Sequence, residues 1–305
     1  MLFKIIRSSR LSKWSRIGAL ALGGILLTGC ASLESTNHAL DTQPLTAITD
    51  SPTNAYHSGQ FVWFDLLTAD VESAKTFYGE LFGWSFEQQG RYAMIMNNGH
   101  RIAGILEVAP KDGEYAEPLW LGSLSVVDVD KAVAYVKEQG GKALKGPLQM
   151  ENRGRGALVS DPQGAQLILL RATGGDPPDD EPEIGDWVWN EIWSNEPHET
   201  SRFYQSMGGY DSIQIGDDYE ILLNDGKWHA GIRYIVKDGH RTRWVPVVRV
   251  SDTGALLDKV EALGGVVWLR PDEAPSNGDT ALISDKNGAL LMIQRWSSEQ
   301  MEETQ

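Results

Sequence analysis

Three kinds of side chain in this 305-residue chain are placed to do chemistry. Asp65 and Glu191 stand at matched positions in two apolar segments, Phe61-Val-Trp-Phe-Asp-Leu-Leu-Thr68 and Trp187-Val-Trp-Asn-Glu-Ile-Trp-Ser194. Side chains alternate along a strand, so each acid is expected on the inner face of a half-buried strand. A carboxylate there can act as a general base or accept a hydrogen bond from a ligand. It can equally cap a loop or pair with a nearby arginine. His229 lies where the first half of the chain has Ile102, so only the second half combines an acid with an imidazole, Glu191 with His229. That combination suits acid–base catalysis, although a lone sheet histidine often serves structure. Tryptophan supplies the third kind. Trp63, Trp120, Trp189, Trp193 and Trp244 fall at matched or inward positions. Such rings build cores, or they stack on a flat ligand.

The elements that must position these groups form an internal repeat. Phe77-Tyr78 follows the first segment as Phe203-Tyr204 follows the second, and Tyr92 to Gly104 matches Tyr219 to Gly231 without a gap. Trp120 matches Trp244, Asp128 matches Asp252, and Ser160-Asp161 matches Ser284-Asp285. Register held this long marks two tandem domains. Strands are predicted over 61–67 and 120–127, each followed by a helix, 71–82 and 129–139, with apolar residues at helical spacing. Three shorter strands complete each half-domain. Asn97-Asn98-Gly99 and Asn224-Asp225-Gly226 are hairpin turns, because Asn and Gly accept positive φ. Asp161-Pro-Gln-Gly164 and Asp285-Lys-Asn-Gly288 turn the chain before each last strand. The expected class is α+β, βαβββ–βαβββ twice. Domains are expected at 58–172 and 186–297. A proline-rich acidic linker (173–185) separates them, and a tail spans 298–305.

That order, with Phe77-Tyr78 on the first helix, Leu81-Phe-Gly-Trp84 at its end and Asp161-Pro-Gln-Gly164 before the last strand, resembles the vicinal-oxygen-chelate superfamily. This group includes glyoxalase I, extradiol dioxygenases, fosfomycin-resistance enzymes and bleomycin-binding proteins. The resemblance implies tandem glyoxalase-like domains. In each, paired βαβββ units form a curled mixed sheet whose cup holds the active or binding site. Most enzymes of the group hold a divalent metal in the cup through His, Gln or Glu. Those positions fall here on Trp63 and Trp189, Leu121 and Val245, Ile168 and Met292, and near Gly104 and Gly231. Indole, alkyl and thioether groups do not bind hard metals. A slip of two along the first strand would substitute Asp65 and Glu191, still without partners on the fifth and eighth strands. No metal and no other cofactor is therefore expected. The residues left to hold a small, partly aromatic ligand are Trp63, Asp65, Trp189, Glu191 and Trp193. The alternatives are an enzyme using Glu191 and His229, or an envelope scaffold with filled cups.

The amino terminus sets an expected location. Five basic residues and no acid precede an apolar run from Ile17 to Leu27, and Leu27-Thr28-Gly29-Cys30 follows. This is the layout of a secretory signal, and the last string resembles a bacterial lipobox. The resemblance implies cleavage after residue 29, lipid on Cys30, and a flexible polar tether over 30–57. It further implies a cell-envelope location, with Ala31 favouring the outer membrane, facing the periplasm. Cys30 is the one cysteine, which excludes internal disulfides and thiolate metal clusters. Removing the five basic residues of the signal takes the net charge from -15 to -20. A body this acidic repels nucleic acid. The expected partners are a small molecule and, through Cys30, a membrane. Whether the two domains pack together as a pseudo-dimer stays open. Walker and Gly-x-Ser-x-Gly motifs are absent, and Gly154-Arg-Gly156 lacks the third glycine of a dinucleotide loop.

Overall fold

The computed structural model of the chain describes residues 45–108, 117–235, 241–273 and 279–296. The expected signal, Cys30, the first part of the tether and the tail lie outside the described residues. The first half runs β1 (Phe61–Thr68), α1 (Val71–Phe82), β2 (Ser85–Gln89), β3 (Tyr92–Asn97), β4 (His100–Glu107), β5 (Leu119–Ser125), α2 (Val129–Glu138), β6 (Lys142–Met150), β7 (Gly154–Ser160) and β8 (Gln166–Ala172). The second half repeats it as β9 (Trp187–Ser194), α3 (Pro197–Gly208), β10 (Asp211–Ile215), β11 (Tyr219–Asn224), β12 (Lys227–Tyr234), β13 (Arg243–Val250), α4 (Thr253–Ala262), β14 (Val266–Leu269), β15 (Thr280–Ser284) and β16 (Leu290–Arg295). The α+β class and the βαβββ order are those expected.

Local chemistry sets the boundaries. Asp70, Asp128 and Asp252 cap the amino ends of α1, α2 and α4, each accepting from a backbone N–H three residues on. Such caps contribute about 1 kcal/mol each. Gly83 and Gly209 end α1 and α3 in the left-handed region. The hairpin β3–β4 turns at Asn98 (φ 48°) and Gly99 (φ 86°), and β11–β12 turns at Asp225 and Gly226 with similar angles.

Each half is one open eight-stranded sheet, ordered β2-β3-β4-β1-β5-β8-β7-β6 and β10-β11-β12-β9-β13-β16-β15-β14. β1 lies parallel to β4 and antiparallel to β5, and β9 repeats this between β12 and β13. One face of each sheet joins a single core shared by both halves and all four helices. Phe64, Leu66, Trp120, Ile192 and Trp244 lie in it. Trp120 and Trp244 are thus core rings and do not face a cup. The opposite, outer faces carry separate apolar clusters, one around Trp63, Tyr92, Leu121 and Ile168, the other around Trp189, Trp193, Val245 and Met292.

The halves are stitched across the shared core by matched hydrogen bonds. Tyr78 donates to Asp285 (3.3 Å) and accepts from Trp120 Nε1 (3.0 Å). Tyr204 donates to Asp161 (3.0 Å) and accepts from Trp244 Nε1 (3.0 Å). Both acids also collect backbone N–H groups from their own turns, Asp161 from Gln163 and Ala165, Asp285 from residues 287–289. Trp84 Nε1 donates to Gly185 O at the entry to the second half, and Tyr210 donates to Gly59 O at the entry to the first.

One stretch departs from expectation. Residues 45–57 were expected to belong to a flexible tether, yet Leu45 and Ile48 are buried in the outer face of the first sheet, 3% and 1% exposed. Arg153 Nε donates to Thr46 O (2.8 Å), and Asn54 N donates to Gly174 O (2.8 Å). A polar composition conceals two apolar residues three apart that an uncovered sheet face can bury.

Burial raises the Asp161 carboxyl from 3.8 to about 6, against its hydrogen bonds, which lower it. The folded state therefore holds this proton more tightly than the unfolded state. Its stabilising contribution is complete below about pH 3.8 and is lost as pH rises through about 6. Asp161→Asn is expected to flatten the stability slope between these limits, measured by urea unfolding at a series of pH values. Tyr204→Phe is expected to cost about 1–3 kcal/mol, because it leaves a buried carboxylate and a buried indole N–H short of partners.

Candidate functional site

Asp65 and Glu191 sit at the centre of the two outer faces. Asp65 lies directly beside Gly104 of β4 and Leu121 of β5, and Glu191 beside Gly231 of β12 and Val245 of β13. The acids thus share a row with the fourth- and fifth-strand positions that the resemblance assigns to metal ligands.

Both acids are buried, each 2% exposed, and both are held by arginine. In the first sheet Arg153 Nη1 reaches Asp65 Oδ2 at 3.3 Å, and Arg153 Nη2 donates to Tyr92 Oη at 2.9 Å. Tyr92 Oη donates to Asp65 Oδ1 at 2.6 Å, and Trp63 Nε1 donates to the same oxygen at 3.0 Å. In the second sheet Arg233 grips Glu191 with two bonds, Nε to Oε1 at 2.5 Å and Nη2 to Oε2 at 3.0 Å. Trp193 Nε1 donates to Glu191 Oε1 at 2.7 Å, and Tyr219 also hydrogen-bonds the carboxylate. The Arg233 guanidinium lies 4.6 Å from the centre of the Tyr219 ring. Burial pushes the Tyr92 and Tyr219 hydroxyls well above the usual tyrosine range, so both remain donors.

The two tyrosines also close the space above the paired glycines. A Cβ on Gly104 would stand 1.8 Å from Tyr92 Oη, and one on Gly231 would stand 2.1 Å from Tyr219 Oη. No side chain fits where the fourth-strand ligand would be. Each row therefore offers one carboxylate, already bonded to a guanidinium, flanked by glycine and an aliphatic residue. Among the described residues no three His, Cys, Asp or Glu side chains gather as a metal set. This donor set does not fit a divalent cation.

His229 lies two residues before Gly231, on β12, and is buried. The oxygens of Glu191 are engaged by Arg233, Trp193 and Tyr219. His229 bonds the Asn224 backbone, and among the described residues no hydrogen bond joins it to Glu191. Burial is the main reason its imidazole titrates below the usual histidine range.

The open space lies elsewhere. A cavity of about 590 Å³ sits where β1, β4, β9 and β12 begin, under the segment 177–183. That size suits a small organic ligand. Trp63, Trp189 and His229 line it, whereas Asp65, Glu191 and Trp193 do not. Trp228 and Trp296, which sequence reasoning passed over, complete the wall. Trp189 stands 5.9 Å from Trp228 and 6.3 Å from Trp296 between ring centres, at 55° and 89°. The Nε1 atoms of all three have no hydrogen-bond partner among the described residues.

The expected linker is a strap across this cavity. Buried Asp176 accepts from Ser125 Oγ (2.6 Å) and His57 N (2.8 Å). At the far end Asp186 accepts from Asn97 Nδ2 (2.6 Å) and meets His100 Nε2 at 3.1 Å. In between, Glu181 pairs with Arg249 at 2.8 Å.

A carboxylate buried beside a guanidinium is costly to orphan. Arg153→Met is expected to destabilise the chain by about 3–5 kcal/mol, because it strands Asp65. Adding Asp65→Leu should restore most of the loss, measured by chemical unfolding of the two variants.

The comparisons with known proteins agree with this architecture. Residues 60–169 match the profile of the Glyoxalase/Bleomycin resistance protein/Dioxygenase superfamily. A Mycobacterium bovis protein provisionally named glyoxylase CFP32 is 31% identical over 248 residues, covering 78% of this chain and 95% of the relative. The anthracycline biosynthesis protein DauV of Streptomyces sp. is 26% identical over 258 residues, covering 77% and 92%. In fold the chain resembles the Mn(II)-bound glyoxalase from Novosphingobium aromaticivorans, with a TM-score of 0.55 and 11% identity over 78% of this chain and 82% of that one. It also resembles homoprotocatechuate 2,3-dioxygenase from Brevibacterium fuscum, with a TM-score of 0.56 and 15% identity over 80% and 73%. The chain belongs to the glyoxalase/bleomycin resistance/dioxygenase superfamily.

Proposed function

We propose that this chain is a ligand-binding member of its superfamily that works without the usual divalent metal. It holds a small, partly aromatic molecule in the strap-covered cavity, against Trp189, Trp228 and Trp296. The observation that carries this reading is the angled cluster of three indoles around about 590 Å³ of space. Large rings supply contact area for a flat ligand. The outer faces do not serve as ligand cups in this reading. The first is filled by Leu45, Ile48 and Arg153, and the second is knotted by the Glu191–Arg233 pair. The lipobox-like string at Leu27–Cys30 supports a lipid anchor on Cys30 and an envelope location facing the periplasm.

A second reading follows from His229. An imidazole kept neutral by burial on the cavity wall can accept a proton from a bound substrate. The provisional naming of the mycobacterial relative as a glyoxylase favours testing it. His229→Asn should then abolish turnover of small aldehyde–thiol adducts while leaving unfolding transitions near wild type. Unchanged turnover removes His229 from catalysis.

Titrating the chain with aromatic compounds while following tryptophan emission tests the first reading. Binding should be saturable, and Trp296→Leu or Trp189→Leu should weaken it about tenfold or more, in line with the loss of an aromatic anchor. Equal affinity in both variants would move the ligand out of this cavity.

A further inference from the structure

A second cavity, of about 420 Å³, lies at the ends of β1 and β4 opposite the strap, where residues of both halves meet. We propose that it binds the carboxylate of a small organic acid through Arg241 and Arg243, with the apolar part of the acid against Leu67, Val108 and Leu119. The two arginines line this cavity, and neither guanidinium has an ion pair or a hydrogen bond among the described residues. Every other described arginine is engaged. Each pairs with a carboxylate, apart from Arg171, which lies over the Tyr56 ring. The chain has 42 acidic residues against 27 lysines and arginines, so an unpartnered arginine is the exception. Both exceptions face one space.

Arg241 is exposed and Arg243 is half-buried. Burial pulls the Arg243 guanidinium below the usual arginine range, Glu117 opposes that pull, and Arg241 adds to it. A cation held partly out of water beside a second cation is unfavourable until an anion joins it. A guanidinium fork matches a carboxylate with two parallel bonds. The charge balance also selects the kind of anion. Glu117 lines the cavity without an ion pair to either arginine, so the wall carries two positive charges and one negative. A monoanion neutralises the remainder, whereas a dianion brings excess charge against Glu117. The amides of Gln163 and Gln166 and the hydroxyl of Thr68 line the same space and supply further donors. The acid would touch both halves at once. Gln163 and Ala165 belong to the turn that holds Asp161, and Trp244 belongs to the stitch through Tyr204.

The test is calorimetric titration of the full chain in nonionic detergent micelles, with protein-free micelles as the blank. Hexanoate, hexanamide and inorganic phosphate are the probes. Hexanoate is expected to bind saturably, about tenfold tighter than either of the others. Arg243→Gln should weaken hexanoate about tenfold and leave hexanamide unchanged, and Glu117→Gln should tighten hexanoate about threefold. Removing Arg243 orphans no carboxylate, so its Gln variant should unfold at the wild-type urea midpoint or above it. Hexanoate should raise the midpoint of the wild type and leave that of the variant in place. No saturable hexanoate binding, hexanamide or phosphate binding as tightly as hexanoate, or unchanged hexanoate affinity in Arg243→Gln overturns the proposal. So does a lower midpoint in ligand-free Arg243→Gln, because the guanidinium would then already have a partner. None of these results bears on the strap-covered cavity, whose walls keep their residues throughout.

Discussion

A carboxylate buried in the outer face of each sheet has to be neutralised where it stands, and the rest of the site follows from how this is done. Asp65 takes Arg153 and Glu191 takes Arg233, each with a tyrosine hydroxyl and an indole N–H as further donors. The pairs do not add much net stability, since removing two charges from water offsets most of their attraction. They decide what the face can do. A carboxylate bonded to a guanidinium is a poor base and a poor metal ligand, and the tyrosine covering each glycine leaves no room for a further donor. Space for a ligand is left where the strands begin, under the strap.

The two halves reach the same neutralisation with different residues. Arg233 matches Leu106 in the repeat, and Arg153, which precedes β7, matches Asn277. The indole that serves Asp65 comes from two residues before the acid, and the one that serves Glu191 from two residues after it. The fold constrains the problem, which is an acid at the centre of a covered sheet. It does not constrain which strand supplies the answer. The same asymmetry shows at the edges, where the first outer face is sealed by Leu45 and Ile48 of the preceding chain.

This explains what could be read from the sequence. Repeat register, strand order and the hairpin turns at Asn98 and Asp225 are local chemistry, and local chemistry is written in spacing. Alternation along a strand put Asp65 and Glu191 on matching faces, but these are the outer faces rather than the expected inner ones, because the shared core takes the neighbouring Phe64, Leu66 and Ile192. Their partners could not be read this way, because Arg153 is 88 residues from Asp65 and Arg233 is 42 from Glu191, and neither sits at a repeat-matched position. The matched tyrosines, Tyr92 and Tyr219, were the available signal, since each opens the gapless stretch and precedes its glycine by twelve residues on a paired strand. The strap read as a linker because proline and acid mark boundaries. Its second role depends on long-range bonds from Ser125, Asn97 and Arg249 that no spacing reveals.

The buried pairs lie in the row that the resemblance assigns to fourth- and fifth-strand metal ligands, so the central proposal is that neither half takes up a divalent ion. Calorimetric titration of the metal-stripped full chain with Mn(II), Fe(II), Ni(II) and Zn(II) tests it most directly. The expected result is no stoichiometric binding for any of the four. One ion per half at micromolar affinity or better, lost in Asp65→Asn or Glu191→Gln, would contradict it.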